Sequence, residues 1–513
     1  MLKGYIKTNN QYDLAFLLLL TTLISLFWVF QYPAIVDGPQ HASQLKILEQ
    51  LLQNHWFYQD RFWINWFTPY VLPNLLMLPI AHLFGPIIAI KVAITVYLLV
   101  FAFVGRALVL HFKKPRQVQL LSLCFLYSPA LYWGFIPFLL TLSIGTIWLY
   151  FVIIRRVKIQ SMASLVFSFS LILGHAIAWA LIVFNIIVLH FSRNNFSLKA
   201  VLQVVPVISP ILLVLLWTIF SVNTESSSNE ISEFIFGTPI DKLGTMTLVA
   251  LGDNIKYLSI VKVLLLVFIF TRFVFIDKDN TVLNALIIAN ILLFFTSPYI
   301  AFSTAYIADR LLQVSILFIP LFISNIKSTR AFNLSVIIMI LFSIIAVFTN
   351  QFAVNRENKD YHKIIRTVSN TSDIFYISKF DDLGYFNITS RPLPLFLHTP
   401  HWLSNTLDIN VDYSFAYVHN IMIRTKQEDY PWTGQVSYNY DHLDWEKVQA
   451  LNYDYIIIRN CTLTEEEILI IQNQSHYRWR LSAKCWHLLQ APTGNSKKKR
   501  SSIHTRTALK RRE

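Results

Sequence analysis

The sequence predicts a polytopic α-helical membrane protein of about eleven transmembrane helices, followed by a small extracytoplasmic α/β domain. Two features of the composition predict this class: 55% of the 513 residues are hydrophobic and only 14% are charged, whereas a soluble domain carries about 25% charged residues. The third feature is the recurrence of apolar runs, each roughly 20 residues long and therefore able to cross a hydrocarbon core. These runs extend from residue 14 to residue 350, and short mixed segments rich in Asp, Asn, Tyr and Trp follow them.

The basic residues orient these runs, because cytoplasmic loops are enriched in Lys and Arg. Lys3 and Lys7 predict a cytoplasmic N-terminus, and HFKKPR at 111–116 and RRVK at 155–158 predict two cytoplasmic loops. The segment 33–85 is then the first outer loop. The expected spans are 14–31, 86–110, 117–133, 136–154, 161–191 as two short helices, 200–220, 257–275, 281–299, 306–325 and 331–350.

The segment after this helical domain of residues 1–350 is expected to lie outside the membrane and to form an α/β domain over 351–490. The residues that predict strands are 373–380, 453–460 and 477–490, and those that predict helices are 443–451 and 464–473. Cys461 and Cys485 lie in this domain and could pair in an oxidising compartment, which the sequence leaves open. The basic tail, 491–513, is expected to be disordered and solvated.

The net charge of +14 does not indicate a nucleic-acid partner, since the basic residues lie between the apolar runs and in the tail. Weak attraction of the tail to anionic lipid headgroups is the other interpretation. The sequence contains no P-loop, GxGxxG, zinc motif or GxSxG elbow. ATP-driven transport and serine-hydrolase chemistry are therefore unsupported.

Asp37, in the first outer loop, is the candidate catalytic residue. It precedes Gly38 and Pro39, and this order predicts the start of a helix that lies at the membrane interface, with Leu45 and Leu48 on its apolar face. One interpretation is that Asp37 only caps this helix. The other is that Asp37 is a catalytic carboxylate, which takes a proton from an acceptor hydroxyl beside a lipid-linked substrate.

Asp60 and His41 are candidate partners of Asp37 in the same loop. Asp60 could hold a divalent cation together with Asp37 or orient an acceptor, whereas an ion pair with the adjacent Arg61 is the favoured alternative. His41 could reach the site from the next helical turn, or could be an ordinary surface histidine.

His175 and the pair Asp309 and Arg310 are predicted to face the same outer side. His175 interrupts an apolar run, so its ring either lines a polar cavity or bonds a neighbouring helix. Arg310 is suited to a phosphate, because its planar fork donates paired hydrogen bonds. Snorkelling to the interface, or pairing with Asp309, is the alternative.

Four segments resemble the GT-C superfamily of membrane glycosyltransferases, which use polyprenyl-phosphate-linked sugars. They are VDGPQH at 36–41, YWGFIPFLLTLSIG at 132–145, LGHAIA at 173–178 and ADRLL at 308–312. The resemblance implies a lipid-phosphate-sugar-dependent transferase of the hexosyltransferase type in a bacterial plasma membrane. The donor would be a polyprenyl-phosphate-linked sugar, and the acceptor a glycan, a lipid or a protein.

The resemblance also implies roles for individual residues. Asp37 would be the base that activates the acceptor, Arg310 would hold the donor phosphate, and His175 would line the same cavity. The other candidate substrate contacts are His41, Asp60 and Asp309. Family members often carry a paired acid in the first loop, whereas Asp37 is followed by a glycine, so dependence on a divalent cation stays open.

Two other classes of protein remain as alternatives. A lipid-glycan flippase or other transporter would show charged residues in the middle of spans, or repeated halves with broken helices, and the sequence shows one such break, at Gly174 and His175. A non-catalytic membrane assembly protein would keep the cavity without its chemistry. A glycan ligase or polymerase would use the same donor, and the sequence distinguishes it poorly from a monosaccharide transferase.

Overall fold

A computed structural model of the protein shows a large helical part and a C-terminal β-sheet. The residues it describes are 2–194, 196–222, 234–240, 242, 256–273, 281–300, 307–323, 326, 329–378, 395–412, 414–417, 421–426, 443 and 445–492. The described helices up to residue 365 are α1 (Leu2–Val29), α2 (Gly38–Leu52), α3 (Trp56–Gln59), α4 (Val71–Phe84), α5 (Pro86–His111), α6 (Val118–Leu123), α7 (Pro129–Trp133), α8 (Ile136–Ile154), α9 (Met162–Gly174), α10 (Ala176–Arg193), α11 (Leu198–Ile208), α12 (Ile211–Val222), α13 (Lys256–Phe273), α14 (Thr281–Thr296), α15 (Ile307–Phe318) and α16 (Thr329–Ile365).

Several of these helices have the length and the apolar composition that a membrane crossing requires. Within the described ranges there are five, which lie in α1, α5, α8, α10 and α16, and the pair α11 and α12, bent by 49°, makes a sixth if it is one span. Shorter apolar helices include α4, α9 and α14. The predicted class of polytopic helical membrane protein is therefore confirmed, whereas the number of eleven crossings stays a prediction.

The individual spans agree with the sequence to different degrees. The expected spans 86–110 and 136–154 are α5 and α8, and the run 161–191 is broken at His175 as predicted. The expected span 117–133 is not one continuous helix, because it consists of the short helices α6 and α7, and its crossing of the membrane stays a prediction. Pro129 explains the interruption: a proline disfavours helical geometry in the residue before it, and Ser128 is extended and caps α7 with its hydroxyl.

Helix α2 differs from the expected interfacial helix. It is buried along almost its whole length, including its polar residues Gln40, Ser43 and Gln44. It packs against α4 and α5 on one side and against a 3-10 helix of the C-terminal part, Thr399–Asn405, on the other. The amphipathic pattern of α2 therefore reflects two different buried neighbours and not a membrane surface.

The C-terminal part contains a five-stranded mixed sheet in the order β3-β2-β5-β7-β6. Its strands are β2 (Ser372–Ser378), β3 (Ile409–Val411), β5 (Tyr455–Arg459), β6 (Arg478–Ala483) and β7 (Trp486–Gln490), and its helices are α17 (Trp445–Ala450) and α18 (Glu465–Ser475). Strand β2 runs parallel to β3 and β5, whereas β7 is antiparallel to β5 and β6. The segments predicted as strands and helices from the sequence are confirmed, except that residues 379–380 and the basic tail from 493 onward lie outside the described residues.

Helix α16 joins the two parts of the protein without interruption. It runs past the expected domain boundary at residue 350, and Val354, Tyr361 and Ile364 near its end belong to the apolar core of the sheet. Glu357 on the same helix forms a fully buried ion pair with Arg459 at the end of β5, with Arg459 Nε 2.7 Å from Glu357 Oε1. The sheet is therefore anchored to the last long apolar helix by both packing and charge.

The first loop is also fixed to the sheet. A short strand in that loop, β1 (Phe62–Ile64), pairs antiparallel with β4 (Ile423–Thr425), and Arg61 donates two hydrogen bonds to the carboxylate of Asp373 at 3.0 and 3.2 Å. Cys461 and Cys485, whose pairing the sequence left open, form a disulfide that joins the ends of neighbouring strands. Such a bond is typical of an oxidising compartment.

Removing the carboxylate of Glu357 should destabilise the protein strongly. The substitution Glu357→Ala leaves Arg459 charged and buried, which costs about 3 to 5 kcal/mol. The double variant Glu357→Leu, Arg459→Leu removes both charges and should unfold at a higher temperature than the single variant. Thermal unfolding of the purified protein in detergent measures both, and a double variant no more stable than the single one would contradict this account of the ion pair.

Candidate active site

The backbone around Asp37 is held in place by the loop that follows α7. Val36 and Asp37 donate their backbone N–H groups to the carbonyl oxygens of Tyr132 and Trp133, both at 2.9 Å. Gly134, which ends α7, has a φ of +77°, and a Cβ there would lie 3.1 Å from the Asp37 nitrogen. A glycine is required at this position both by the left-handed conformation and by the closeness of the first loop.

The side chain of Asp37 does not cap α2. Asp37 occupies the N-cap position, and Pro39 begins the helix as predicted, but the carboxylate makes no capping hydrogen bond. Only 9% of Asp37 is exposed, and its Oδ1 lies 3.5 Å from Nε2 of His398. The carboxylate is therefore turned toward the C-terminal part and away from the helix that it precedes.

Three further polar side chains surround this pair. Gln40, on the first turn of α2, lies with its Nε2 3.0 Å from His398 Nδ1 and 2.9 Å from His401 Nε2. Its Oε1 accepts a hydrogen bond from the backbone N–H of Phe415 at 3.1 Å. We call Asp37, Gln40, His41, His398 and His401 the junction cluster, because it lies where α2 meets the 3-10 helix Thr399–Asn405.

His41 belongs to the junction cluster and is not a surface histidine. Burial lowers the pKa of its imidazole from 6.5 to about 4, against the opposing effect of the Asp37 carboxylate. His398 lowers this pKa further, whereas a hydrogen bond with the backbone of Gly134 raises it. The ring of Phe415 packs edge-on against His41, with 5.6 Å between ring centroids. His41 is thus neutral at physiological pH, and its ring lies against Phe415 of the C-terminal part.

His175 lies at the break between α9 and α10, in an aromatic environment. Its ring centroid is 5.2 Å from that of Tyr70 and 5.3 Å from that of Phe138. The Nδ1 atom is buried and has no hydrogen-bond partner among the described residues. His175 therefore does not bond a neighbouring helix through Nδ1.

Arg310, on α15, is buried and does not snorkel. Its guanidinium carbon lies 3.9 Å from the ring centroid of Phe135 and 5.9 Å from that of Phe138. Phe138 also packs edge-on against His175, with 5.3 Å between the ring centroids. Arg310 and His175 therefore lie in one neighbourhood around the ring of Phe138. We call Arg310, His175, Tyr70, Phe135 and Phe138 the arginine cluster.

Two of the predicted site residues are not placed in either cluster. Asp60 is exposed at the end of α3, and the expected ion pair with Arg61 is wrong, because Arg61 binds Asp373 instead. The side chain of Asp309 lies outside the described residues, so its pairing with Arg310 stays a prediction. Over the part of the chain that the structure describes, no group of three His, Cys, Asp or Glu side chains is arranged to hold a metal ion.

Gln40, His398 and His401 are the residues that the sequence did not reveal as parts of a site. The segment HTPHW at 398–402 carries two histidines three positions apart around a proline, which is a weak signal on its own. Gln40 lies inside the resembling segment at 36–41, but no spacing rule connects it to residues so far along the chain.

Comparison with known proteins identifies the fold. No family model matches the sequence, and no curated protein matches it. The crystal structure of ArnT from Cupriavidus metallidurans bound to undecaprenyl phosphate matches with a TM-score of 0.51 and 10% identity, over 94% of this chain and 98% of that one. The apo structure of the same protein matches with a TM-score of 0.53 and 11% identity, over 92% and 97%.

The chain has the ArnT fold. This confirms the fold expected from the GT-C resemblance, since ArnT is a GT-C protein, and it extends the likeness from four short segments to nearly the whole length of the chain. The match covers the C-terminal sheet as well as the helices, so the two parts form one known architecture. At this level of identity the roles of individual residues have to be argued from the geometry described above.

The buried His41 should make the stability of the protein fall in acid. In the unfolded chain its pKa is near 6.5, so below that pH the unfolded state binds a proton that the folded state does not bind until about pH 4. Stability present above pH 6.5 is thus lost as the pH falls, by up to about 3 kcal/mol near pH 4.

The melting temperature at pH 7.5 and pH 5 measures this effect. The wild type should lose more stability between the two values than His41→Gln. The control His476→Gln removes a histidine that is exposed at the end of α18 and should respond like the wild type. An equal response of all three proteins would show that His41 is not a buried neutral histidine.

Proposed function

We propose that the protein is a glycosyltransferase that moves a sugar from a polyprenyl-phosphate donor to a glycan, lipid or protein acceptor, with Asp37 as the catalytic base. The observation that carries the proposal is the carboxylate of Asp37, which is buried, does not cap α2 and lies in the junction cluster, 3.5 Å from Nε2 of His398. An ArnT-like fold supports the donor class, because undecaprenyl phosphate is bound to that protein.

In the proposed reaction, the junction cluster supplies the base and the arginine cluster stabilises the charge of the leaving phosphate. Asp37 takes the proton of an acceptor hydroxyl, whose oxygen forms a bond to the anomeric carbon of the sugar while the bond from that carbon to the phosphate oxygen breaks. Arg310 stabilises the negative charge on the departing polyprenyl phosphate. Its guanidinium is held against Phe135, so little conformational freedom is lost when it binds. Inversion at the anomeric carbon follows the GT-C pattern.

A groove on the helical part suits the lipid chain of the donor. It has a volume of about 490 Å³ and an apolar lining that includes Leu72 on α4, Ile144 on α8 and Val166 on α9. Helix α4 begins beside Tyr70 and helix α9 ends beside His175, so the elements that line the groove also carry members of the arginine cluster. A polyprenyl chain in the groove would keep its phosphate near Arg310.

The orientation in the membrane is part of the same proposal. The N-terminus lies in the cytoplasm, and the C-terminal sheet, with the junction cluster, lies on the outer side of a bacterial plasma membrane. Basic residues at 111–116 and 155–158 support this orientation through the positive-inside rule. The disulfide between Cys461 and Cys485 also supports it, since disulfides persist on that side.

Asp37→Asn should abolish turnover without preventing binding of the lipid. The amide cannot accept the proton, and loss of a general base lowers the rate by about 100- to 10,000-fold. Turnover is measured as the release of polyprenyl phosphate when protein in lipid is incubated with a panel of polyprenyl-phosphate sugars and acceptor-containing membranes. The affinity of the same protein for undecaprenyl phosphate is measured separately. The control Glu466→Gln makes the same acid-to-amide change on the exposed first turn of α18.

Turnover that is unchanged in Asp37→Asn would rule out Asp37 as the base. Loss of lipid affinity together with turnover would show that Asp37 acts in binding or folding instead. Turnover of no donor by the wild type would favour the transporter or the assembly protein, since both keep a lipid site without the transfer reaction.

Gly134→Ala should lower activity more than it lowers stability. The new methyl group would press on the backbone of Asp37 and Gly38 and displace the carboxylate, and a misplacement of about 1 Å can cost roughly 100-fold in rate. The control is Gly85→Ala, because Gly85 also has a positive φ but open space around its Cβ position. Gly85→Ala should lose stability and keep its turnover per folded molecule. Equal turnover in the two variants would show that Gly134 does not position Asp37.

A further inference from the structure

The junction cluster contains a histidine from the C-terminal part that no resemblance assigns. His398 is 2% exposed, and its Nε2 faces Asp37 Oδ1 at 3.5 Å. This separation is long for a hydrogen bond, but catalytic contacts are often loose before substrate binds and tighten afterwards. The question is which nitrogen of His398 carries its proton, because only an Nε2–H can donate to the carboxylate.

Gln40 answers this question through its own hydrogen bonds. The backbone N–H of Phe415 is a donor, so the Gln40 atom that meets it at 3.1 Å has to be the amide oxygen. The amide nitrogen, which only donates, then faces His398 Nδ1 at 3.0 Å and His401 Nε2 at 2.9 Å. Each of these ring nitrogens has to accept, and therefore carries no proton.

The consequence for His398 is a fixed tautomer. A neutral imidazole has one protonated and one unprotonated nitrogen, so with Nδ1 accepting from Gln40 the proton lies on Nε2, the atom that faces Asp37. The chain of contacts runs from the backbone of Phe415 through Gln40 and His398 to the carboxylate. Every member except the final carboxylate is held by a backbone group or by another buried side chain.

We propose that His398 is a positioning residue for Asp37: its Nε2–H, fixed by Gln40, binds Oδ1 of Asp37 and leaves Oδ2 directed at the acceptor hydroxyl. The C-terminal sheet domain thereby supplies part of the active site, and is not only a cover over it. This inference rests on the proposed function for the identity of the base. The tautomer of His398, in contrast, follows from the contacts of Gln40 alone.

A role in positioning Asp37 predicts a specific pattern of rescue. His398→Leu removes the donor and should lower kcat by about 10- to 150-fold, the effect expected for a hydrogen bond to a charged group, while KM for the lipid donor stays within about threefold. In His398→Gln the side-chain nitrogen can take the place of Nε2, so kcat should recover to within about fivefold of the wild type. His487→Gln makes the same change at another buried histidine of the sheet and serves as the folding control.

The tautomer is measured independently of turnover, by nitrogen NMR on ¹⁵N-histidine-labelled protein in lipid bilayers. The His398 signal is assigned as the one that His398→Gln removes. At neutral pH it should show a protonated Nε2 and an unprotonated Nδ1. In Gln40→Glu the new carboxylate accepts where the amide donated, so Nδ1 should become protonated. Gln53→Glu, at the exposed end of α2, should leave the signal unchanged.

The outcomes separate the two ideas. Wild-type protein that turns over a donor, with His398→Leu equally active, would overturn the positioning role and leave the glycosyltransferase function intact. Wild-type protein that turns over no donor would overturn the proposed function. In that case the NMR signal still decides the contact, and a His398 protonated on Nδ1 in the wild type would overturn the orientation by Gln40.

Discussion

Two backbone hydrogen bonds from the first loop are the constraint on which the rest of the site depends. Val36 and Asp37 bind the carbonyl oxygens of Tyr132 and Trp133, and the chain can approach this closely only because Gly134 has no side chain. They fix where α2 begins, and with it the direction of Asp37. A carboxylate on a free loop would sample many rotamers, whereas this one is attached to a backbone that cannot turn. The rest of the junction cluster is built around that fixed point.

The burial of so many polar groups in α2 follows from this position. A buried amide or imidazole is costly unless its hydrogen bonds are made. Gln40 makes them to the C-terminal part of the chain, whereas Nε2 of Gln44 is buried without a hydrogen-bond partner among the described residues. Gln40 uses both ends of its amide there, and Glu49 of the same helix contacts α4, with its Oε1 2.8 Å from Nδ1 of His82. The position of α2 is therefore set both by α4 and α5 and by the 3-10 helix Thr399–Asn405. A helix with a uniformly apolar surface could slide or rotate between the membrane part and the sheet, but one with Gln40 in register could not.

The sequence predicted the architecture well and the site in part, for physical reasons. Membrane spans leave a strong signal because a bilayer demands long apolar runs, and α5 and α8 were placed to within a residue or two. Proline interrupted the expected span at 117–133, which a composition window does not detect. The positive-inside rule predicted one side of the membrane for Asp37, His41, His175 and Arg310, and the structure places the first two in the junction cluster and the last two in the arginine cluster. It could not place His398 or Gln40, since their contact depends on tertiary packing between segments 358 residues apart.

That separation along the chain has a consequence for the synthesis of the protein on the ribosome. The ribosome adds about 5 to 20 residues per second, so Gln40 leaves it roughly 20 to 70 seconds before the histidines that it binds. Through this interval the first loop has neither its β4 partner nor the 3-10 helix that covers α2. The nascent chain thus carries Asp37 without its neighbours from the C-terminal part while the membrane helices are inserted. A molecule cut short before residue 398 would have Asp37 and Gln40 but neither of the histidines of the junction cluster that the C-terminal part supplies, so that cluster is complete only after the C-terminal part has been made.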